Sequence, residues 1–310
     1  MTERRLNAVT CSSPAGLHRM AYHEWGDRDN PETVLCVHGL TRTGRDFDDL
    51  AQRLSKNFRV VCPDVVGRGL SDRLANPMFY TVPQYTADMV SLIARLQPSR
   101  LKWVGTSMGG LIGMSYAGLM AFSRHLQQLA TPAQSYQALP ETGIRLDALV
   151  LNDVGPHIEP SSLARIGAYV GEPVSFDSFI AAVEYVKKTA ASFGPHSEEQ
   201  WQALTRFTYI DQSGKWIKHY DLGIAEAFKS VTPEQAAQGE QILWQSYSSF
   251  QAPVLILRGK DSDLLSPATL QKMLELNPQA RAVEFVGVGH APTIVAADQL
   301  ETVTGFLNEH

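Results

Sequence analysis

Three observations predict an α/β fold: a mostly parallel central sheet with helices on both faces, interrupted by a helical insert. Toward both ends of the chain, short apolar runs rich in β-branched residues alternate with amphipathic helical patterns, as buried parallel strands joined by crossover helices do. Between about residues 156 and 245 no clear buried strand is seen while helical patterns continue. The segment Gly105-Thr106-Ser107-Met108-Gly109 stands where one apolar run passes directly into a helical pattern.

In chain order, the spacing predicts a strand over 33–38, a helix over 45–55, a strand over 58–63 and an amphipathic helix over 82–96. A strand over 101–105 runs into a helix from 108 to about 121. That helix carries Gly109, Gly110, Gly113, Ser115, Ala117 and Gly118. Each interior glycine costs about 1 kcal/mol relative to alanine, so their number predicts a helix packed too closely on the sheet for larger side chains. A polar stretch of about 124–143 follows, and strands return at 146–151 and 254–257. Within the insert, helices are expected over 161–169 and 176–191, and a third starts at Ser197, whose spacing to Gln200 fits a capping box. A helix over 267–276, a strand over 282–286 and a closing helix over 294–308 complete the chain. The domain organisation expected is core over 1–155, helical cap over 156–245 and core again over 246–310. Parallel neighbours need crossovers, so helices should cover both sheet faces.

Composition narrows the function classes. With 44% hydrophobic and 19% charged residues the 310-residue chain has ordinary globular usage. A formal charge of -5 without a Lys/Arg run leaves nothing to neutralise a phosphate backbone, so no nucleic-acid partner is expected. The polar start and the lack of any apolar run of about 20 residues lead us to expect a cytoplasmic protein with no membrane partner. A homodimer stays open. Cys11, Cys36 and Cys62 are too few and too scattered for a disulfide framework or a metal site, and no thiol chemistry is assigned. Cys36 and Cys62 lie in strand-like runs and should be buried.

The candidate chemistry centres on Ser107. A serine at a tight turn between strand and helix is pushed outward, and glycines two residues to either side let the two elements approach. The helix N-terminus behind it favours negative charge developing at the site. A serine hydroxyl needs a base that titrates near neutrality, which means histidine. Of nine histidines, His290 stands in Gly287-Val288-Gly289-His290-Ala291-Pro292, a loop after the last expected strand. The orienting carboxylate is sought in Lys260-Asp261-Ser262-Asp263-Leu264-Leu265, after the penultimate strand. Asp263 is preferred, because the apolar pair following it could anchor it inward. Asp261 and Asp153, the latter ending another core strand, are the alternatives. The order Ser, Asp, His is the one this architecture uses. Two oxyanion donors are needed, and the N–H groups of Met108 and Leu40 are chosen. His38 is read as structural, bonding its own loop.

These residues resemble the α/β-hydrolase superfamily over nearly the whole chain. The motifs agreeing in order are the His38-Gly39 loop, the block Asp64-Val65-Val66-Gly67-Arg68-Gly69-Leu70-Ser71, the Gly105–Gly109 elbow, the Asp263 loop and Gly289-His290. The Asp64 block is expected to shape a turn near the site. The cap following Val154 is similar to that of carboxylesterases, enol-lactonases and carbon-carbon bond hydrolases, and Ser107 argues against groups with aspartate at the elbow. The resemblance implies acyl transfer with no metal or organic cofactor, acting on a small-molecule ester. Carboxylesterase activity is the leading expectation, with lactonase or carbon-carbon bond hydrolysis next and a non-catalytic small-molecule receptor as the reading from another class. The 124–143 stretch is longer than the family usually has there. Cap aromatics Phe179, Tyr185, Trp201, Phe207, Tyr209, Trp216 and Trp244 could line an apolar pocket but are expected mainly to hold the cap helices to the core.

Overall fold

The computed structural model describes residues 3–129 and 146–310, so most of the polar 124–143 stretch lies outside the described residues. The chain opens with an antiparallel hairpin that the sequence reading did not foresee, β1 (Arg5–Ser13) and β2 (Gly16–Trp25). Its inward positions explain why. β2 buries His18, His23 and Glu24; His18 meets Asp88 at 3.1 Å and Glu24 meets Arg59 at 2.9 Å. Buried polar groups persist when they are paired in this way, and they erase the apolar pattern that marks a strand.

From there the expected order appears: β3 (Glu32–Val37), α1 (Asp48–Leu54) after one 3-10 turn, β4 (Arg59–Pro63), α2 (Val82–Leu96), β5 (Arg100–Thr106), α3 (Met108–Leu129) and β6 (Leu146–Asn152). The insert holds α4 (Pro160–Tyr169), β7 (Ser175–Phe176), α5 (Phe179–Thr189), α6 (Glu198–Arg206), β8 (Tyr209–Gln212), β9 (Lys215–Lys218), α7 (Ile224–Ser230) and α8 (Pro233–Ser249). β10 (Val254–Gly259), α9 (Pro267–Leu276), β11 (Ala280–Phe285) and α10 (Ala297–Glu309) finish the chain.

Eight strands form one sheet in the order β1-β2-β4-β3-β5-β6-β10-β11. The hairpin joins it antiparallel and every other pair is parallel. One face is covered by α2, α3, α8 and α9, through Met89, Leu92, Ile112, Met114, Tyr247 and Met273. The other is covered by α1 and α10, through Leu50, Leu54, Val303 and Phe306. α3 does lie as close as its small residues predict. A Cβ at Gly113 would stand 2.7 Å from Trp103 Nε1, and one at Gly118 would stand 2.1 Å from Ser246 Oγ of α8. All three cysteines are buried and free.

The insert differs from the purely helical expectation, because β7, β9 and β8 form a small antiparallel sheet. These strands are two to four residues long and largely exposed, so no buried periodicity betrays them. Phe176, Tyr185, Tyr209, Trp201 and Trp216 pack around Ala182 and Val186 as a local cluster. At Ser197 both bonds of the capping box form, with Gln200.

Candidate active site

Register brings the functional loops to one end of the sheet. Val37 pairs with Gly105, Thr106 with Asn152, and Asn152 with Leu257, so the residues after β3, β5, β6 and β10 emerge side by side at the strands' carboxyl ends. Open α/β sheets place their ligand crevices there.

Ser107 sits between β5 and α3 at φ 51°, a left-handed conformation that is uncommon outside glycine. Its N–H is held by Asn152 O at 2.9 Å. The flanking glycines are required by contact: a Cβ at Gly105 would meet Gly109 backbone at 2.4 Å, and one at Gly109 would meet Val37 O at 1.9 Å. Trp103 Nε1 donates to Gly109 O at 3.0 Å and ties the helix start to the strand.

Ser107 Oγ lies 3.0 Å from His290 Nε2, and His290 Nδ1 lies 2.7 Å from Asp153 Oδ2. A carboxylate only accepts, so Nδ1 carries the proton and Nε2 is left to accept from the serine hydroxyl. Asp153 has no exposed surface and stands at φ 55° directly after β6. Besides His290 it accepts from Gly259 N–H at 3.1 Å and from Ser262 Oγ at 2.6 Å. Three donors satisfy a buried carboxylate. The His290 loop is pinned from the insert as well, Gly289 N–H donating to Ser192 O at 2.6 Å.

Asp263, the preferred acid of the sequence reading, is not at the site. After β10 the chain turns through a Ser262 N–H to Gly259 O bond of 2.9 Å. This turn aims Ser262 inward and Asp263 outward, where Arg165 of α4 takes its carboxylate at 2.7 and 2.8 Å. Partial burial works to raise the Asp263 pKa, but the Arg165 guanidinium outweighs it and the carboxyl titrates below its usual range. Asp261 is exposed, and its N–H supports Val288 O at 2.9 Å. Of the three carboxylates considered, Asp153 alone meets His290. Ser262, which the sequence reading did not single out, lies between two weighed aspartates, and its contact with β6 has no local signal.

Met108 is the first residue of α3, so its N–H has no partner within the helix. Gly39, beside Leu40, faces the serine: a Cβ there would lie 3.8 Å from Ser107 Cβ. Arg68 is buried behind both, its Nε donating to Leu40 O at 2.9 Å and its Nη2 reaching Met108 Sδ at 3.6 Å. His38 bonds Gly39 O through Nδ1 at 2.7 Å and accepts from Val65 N–H through Nε2 at 2.9 Å. Burial holds its pKa down to about 4, so it is neutral and structural. Asp64 braces the neighbouring turn, accepting from Gly44 and Leu70 N–H at 2.8 and 2.9 Å.

This arrangement can deprotonate a serine hydroxyl as it attacks a carbonyl carbon and return the proton to a leaving group. Among the described residues one group of three potential metal ligands occurs, Cys11, His18 and Asp88, under the β1–β2 hairpin. Burial, then the charge of Asp88, push the Cys11 thiol up to about 12, which keeps it protonated. The His18–Asp88 pair accounts for the rest of the group.

Residues 34–302 match the family model described as the alpha/beta hydrolase family. The chain belongs to the α/β-hydrolase family. It is similar, at 47% identity over 97% of both chains, to the 3-hydroxybutyrate-oligomer hydrolase of Cupriavidus necator. At 26% identity it is similar to the 2-(acetamidomethylene)succinate hydrolase of Mesorhizobium japonicum, over 89% of this chain and 87% of that one. Its fold also resembles the crystal structure of an alpha/beta hydrolase from Novosphingobium aromaticivorans, with a TM-score of 0.79 and 32% identity over 100% of this chain and 99% of that one. Among the described residues no helix is long and apolar enough to cross a membrane.

Proposed function

We propose that this hydrolase is a serine esterase that cleaves the ester bonds of short 3-hydroxybutyrate oligomers through an acyl-enzyme. The observation that carries the reading is the Asp153–His290–Ser107 relay, at 2.7 and 3.0 Å. The substrate class is supported by the relative that shares 47% of its residues over nearly the full length.

In this reading Ser107 Oγ attacks the ester carbonyl carbon while His290 Nε2 takes its proton. The tetrahedral oxyanion is held by the N–H groups of Met108 and Leu40, in a site whose helix N-terminus also favours negative charge. Collapse breaks the ester C–O bond, and His290 returns the proton to the departing hydroxyl of the next hydroxyacid unit. Water, deprotonated by His290, then attacks the acyl-Ser107 carbonyl, and collapse breaks the bond to Ser107 Oγ, which takes the proton back from His290 as the acid leaves. Asp153 fixes the imidazole tautomer and stabilises its protonated form.

Purified protein is expected to hydrolyse p-nitrophenyl butyrate and the linear 3-hydroxybutyrate dimer, and Ser107→Ala to lower kcat on both by at least about ten-thousand-fold. Undiminished turnover in that variant would sink the assignment.

A further inference from the structure

The small sheet of the insert holds two donors that the relay does not use. Lys218 closes β9 opposite Tyr209, and Tyr220 stands two residues on, past the end of the strand, in an isolated bridge with Arg68. The Lys218 Nζ lies 5.5 Å from the Tyr220 ring centroid. Lys218 is 7% exposed and Tyr220 4%.

Lys218 is satisfied only in part and the Tyr220 hydroxyl not at all. Nζ donates to Tyr169 O at 3.0 Å, which leaves two of its three donors. Among the described residues no carboxylate stands within 4 Å of it, and Glu172 attracts it only from a distance. Burial draws the Lys218 pKa down. The Tyr220 hydroxyl is buried without a hydrogen bond, and burial pushes its pKa up, an effect that the nearby Gly171 N–H offsets only in part. A buried ammonium without a counterion beside a buried phenol without an acceptor is costly, unless an anion enters between them.

Their position says which anion. His219 O accepts from Gly69 N–H at 3.0 Å and Asp221 N–H donates to Gly67 O at 2.7 Å, so the strand carrying Tyr220 runs beside the Gly67–Gly69 turn. Arg68, bridged to Tyr220 within that turn, is the residue that reaches Leu40 O and Met108 Sδ. Arg68 thus links the two regions, pairing through its backbone with Tyr220 and reaching through its side chain the residues assigned to the oxyanion. A linear hydroxyacid oligomer ends in one carboxylate, and the ester next to it leaves that carboxylate on the departing unit. Resting on the esterase reading above, we propose that Lys218 and Tyr220 form the subsite for this terminal carboxylate, so that oligomers are shortened from their carboxyl end.

The test compares kcat/KM for the 3-hydroxybutyrate dimer as free acid with the same dimer capped as its carboxamide. The wild-type protein should favour the free acid by about tenfold or more, the value of one well-placed charge pair. Lys218→Met should bring the ratio near one, Tyr220→Phe should lower it in part, and Lys218→Arg should keep it. Because the ratio is internal to each variant, a folding defect that slows both substrates does not imitate the effect. A wild-type ratio near one, or a ratio that survives Lys218→Met, overturns the subsite and leaves the esterase standing. Cleavage of neither dimer, with p-nitrophenyl butyrate still hydrolysed, overturns the oligomer reading and the subsite with it.

Discussion

At the scale of single residues, the site depends on which side chain follows which strand and where it is aimed. Asp153→Asn would keep the shape of the relay but lose the acceptor that fixes the His290 tautomer, so kcat is expected to fall by about ten-thousand-fold. Asp263→Asn removes only an exposed pair with Arg165, so kcat should stay within about twofold and stability within about 1 kcal/mol. Steady-state kinetics on p-nitrophenyl butyrate distinguishes the two, and the reverse ranking would return the acid to the β10 loop. Ser262 makes a finer point. Its hydroxyl donates to Asp153 and accepts from Leu264 and Leu265 N–H at 3.2 and 3.3 Å. Ser262→Ala should therefore lower kcat/KM by about tenfold and cost about 1–2 kcal/mol of stability, since it strips one donor from a buried carboxyl group and one acceptor from the turn. Urea unfolding beside the kinetics measures both effects, and a variant equal to wild type would show that Asp153 does not need it.

At the scale of elements, the elbow is a packing solution before it is a catalytic one. β3, β5 and α3 converge at Gly109 so closely that a single methyl would overlap Val37 O. Gly109→Ala must displace backbone in one of the three, and a loss of about 3 kcal/mol or more is expected in urea unfolding, with esterase activity falling alongside. A fully active, fully stable variant would mean that the helix can shift without cost. This convergence was legible beforehand, because a helix bears so many glycines only where close packing against the preceding strand excludes larger side chains. The hairpin β1–β2 and the strands β7, β8 and β9 were not. In the hairpin, paired polar side chains stand where apolar residues would signal burial, and the insert's strands are too short and too exposed to carry a period.

At the scale of the whole molecule, stability against acid follows from what the fold has buried. His38 has a folded pKa of about 4 against an ordinary 6.5, so below 6.5 the unfolded chain binds the proton that the folded one refuses. Its contribution is complete above about pH 6.5 and is lost as the pH falls toward 4, at up to about 1.4 kcal/mol per pH unit. Urea unfolding between pH 7 and 4.5 should show that decline, and in His38→Gln the slope should be shallower by one proton. Parallel slopes would rule the histidine out as its source. The sequence by itself determined the alternating architecture and pointed to the turn at Ser107, to His290 and to His38, because each is written in neighbouring residues through strand period, helix packing and turn chemistry. The tertiary structure alone brought Asp153 rather than Asp263 to His290, set Ser262 against Asp153, and paired Tyr220 with Arg68. Those choices depend on which strand ends are neighbours in the sheet and which way one turn points, and separations of some 100 residues along the chain carry no local trace of either.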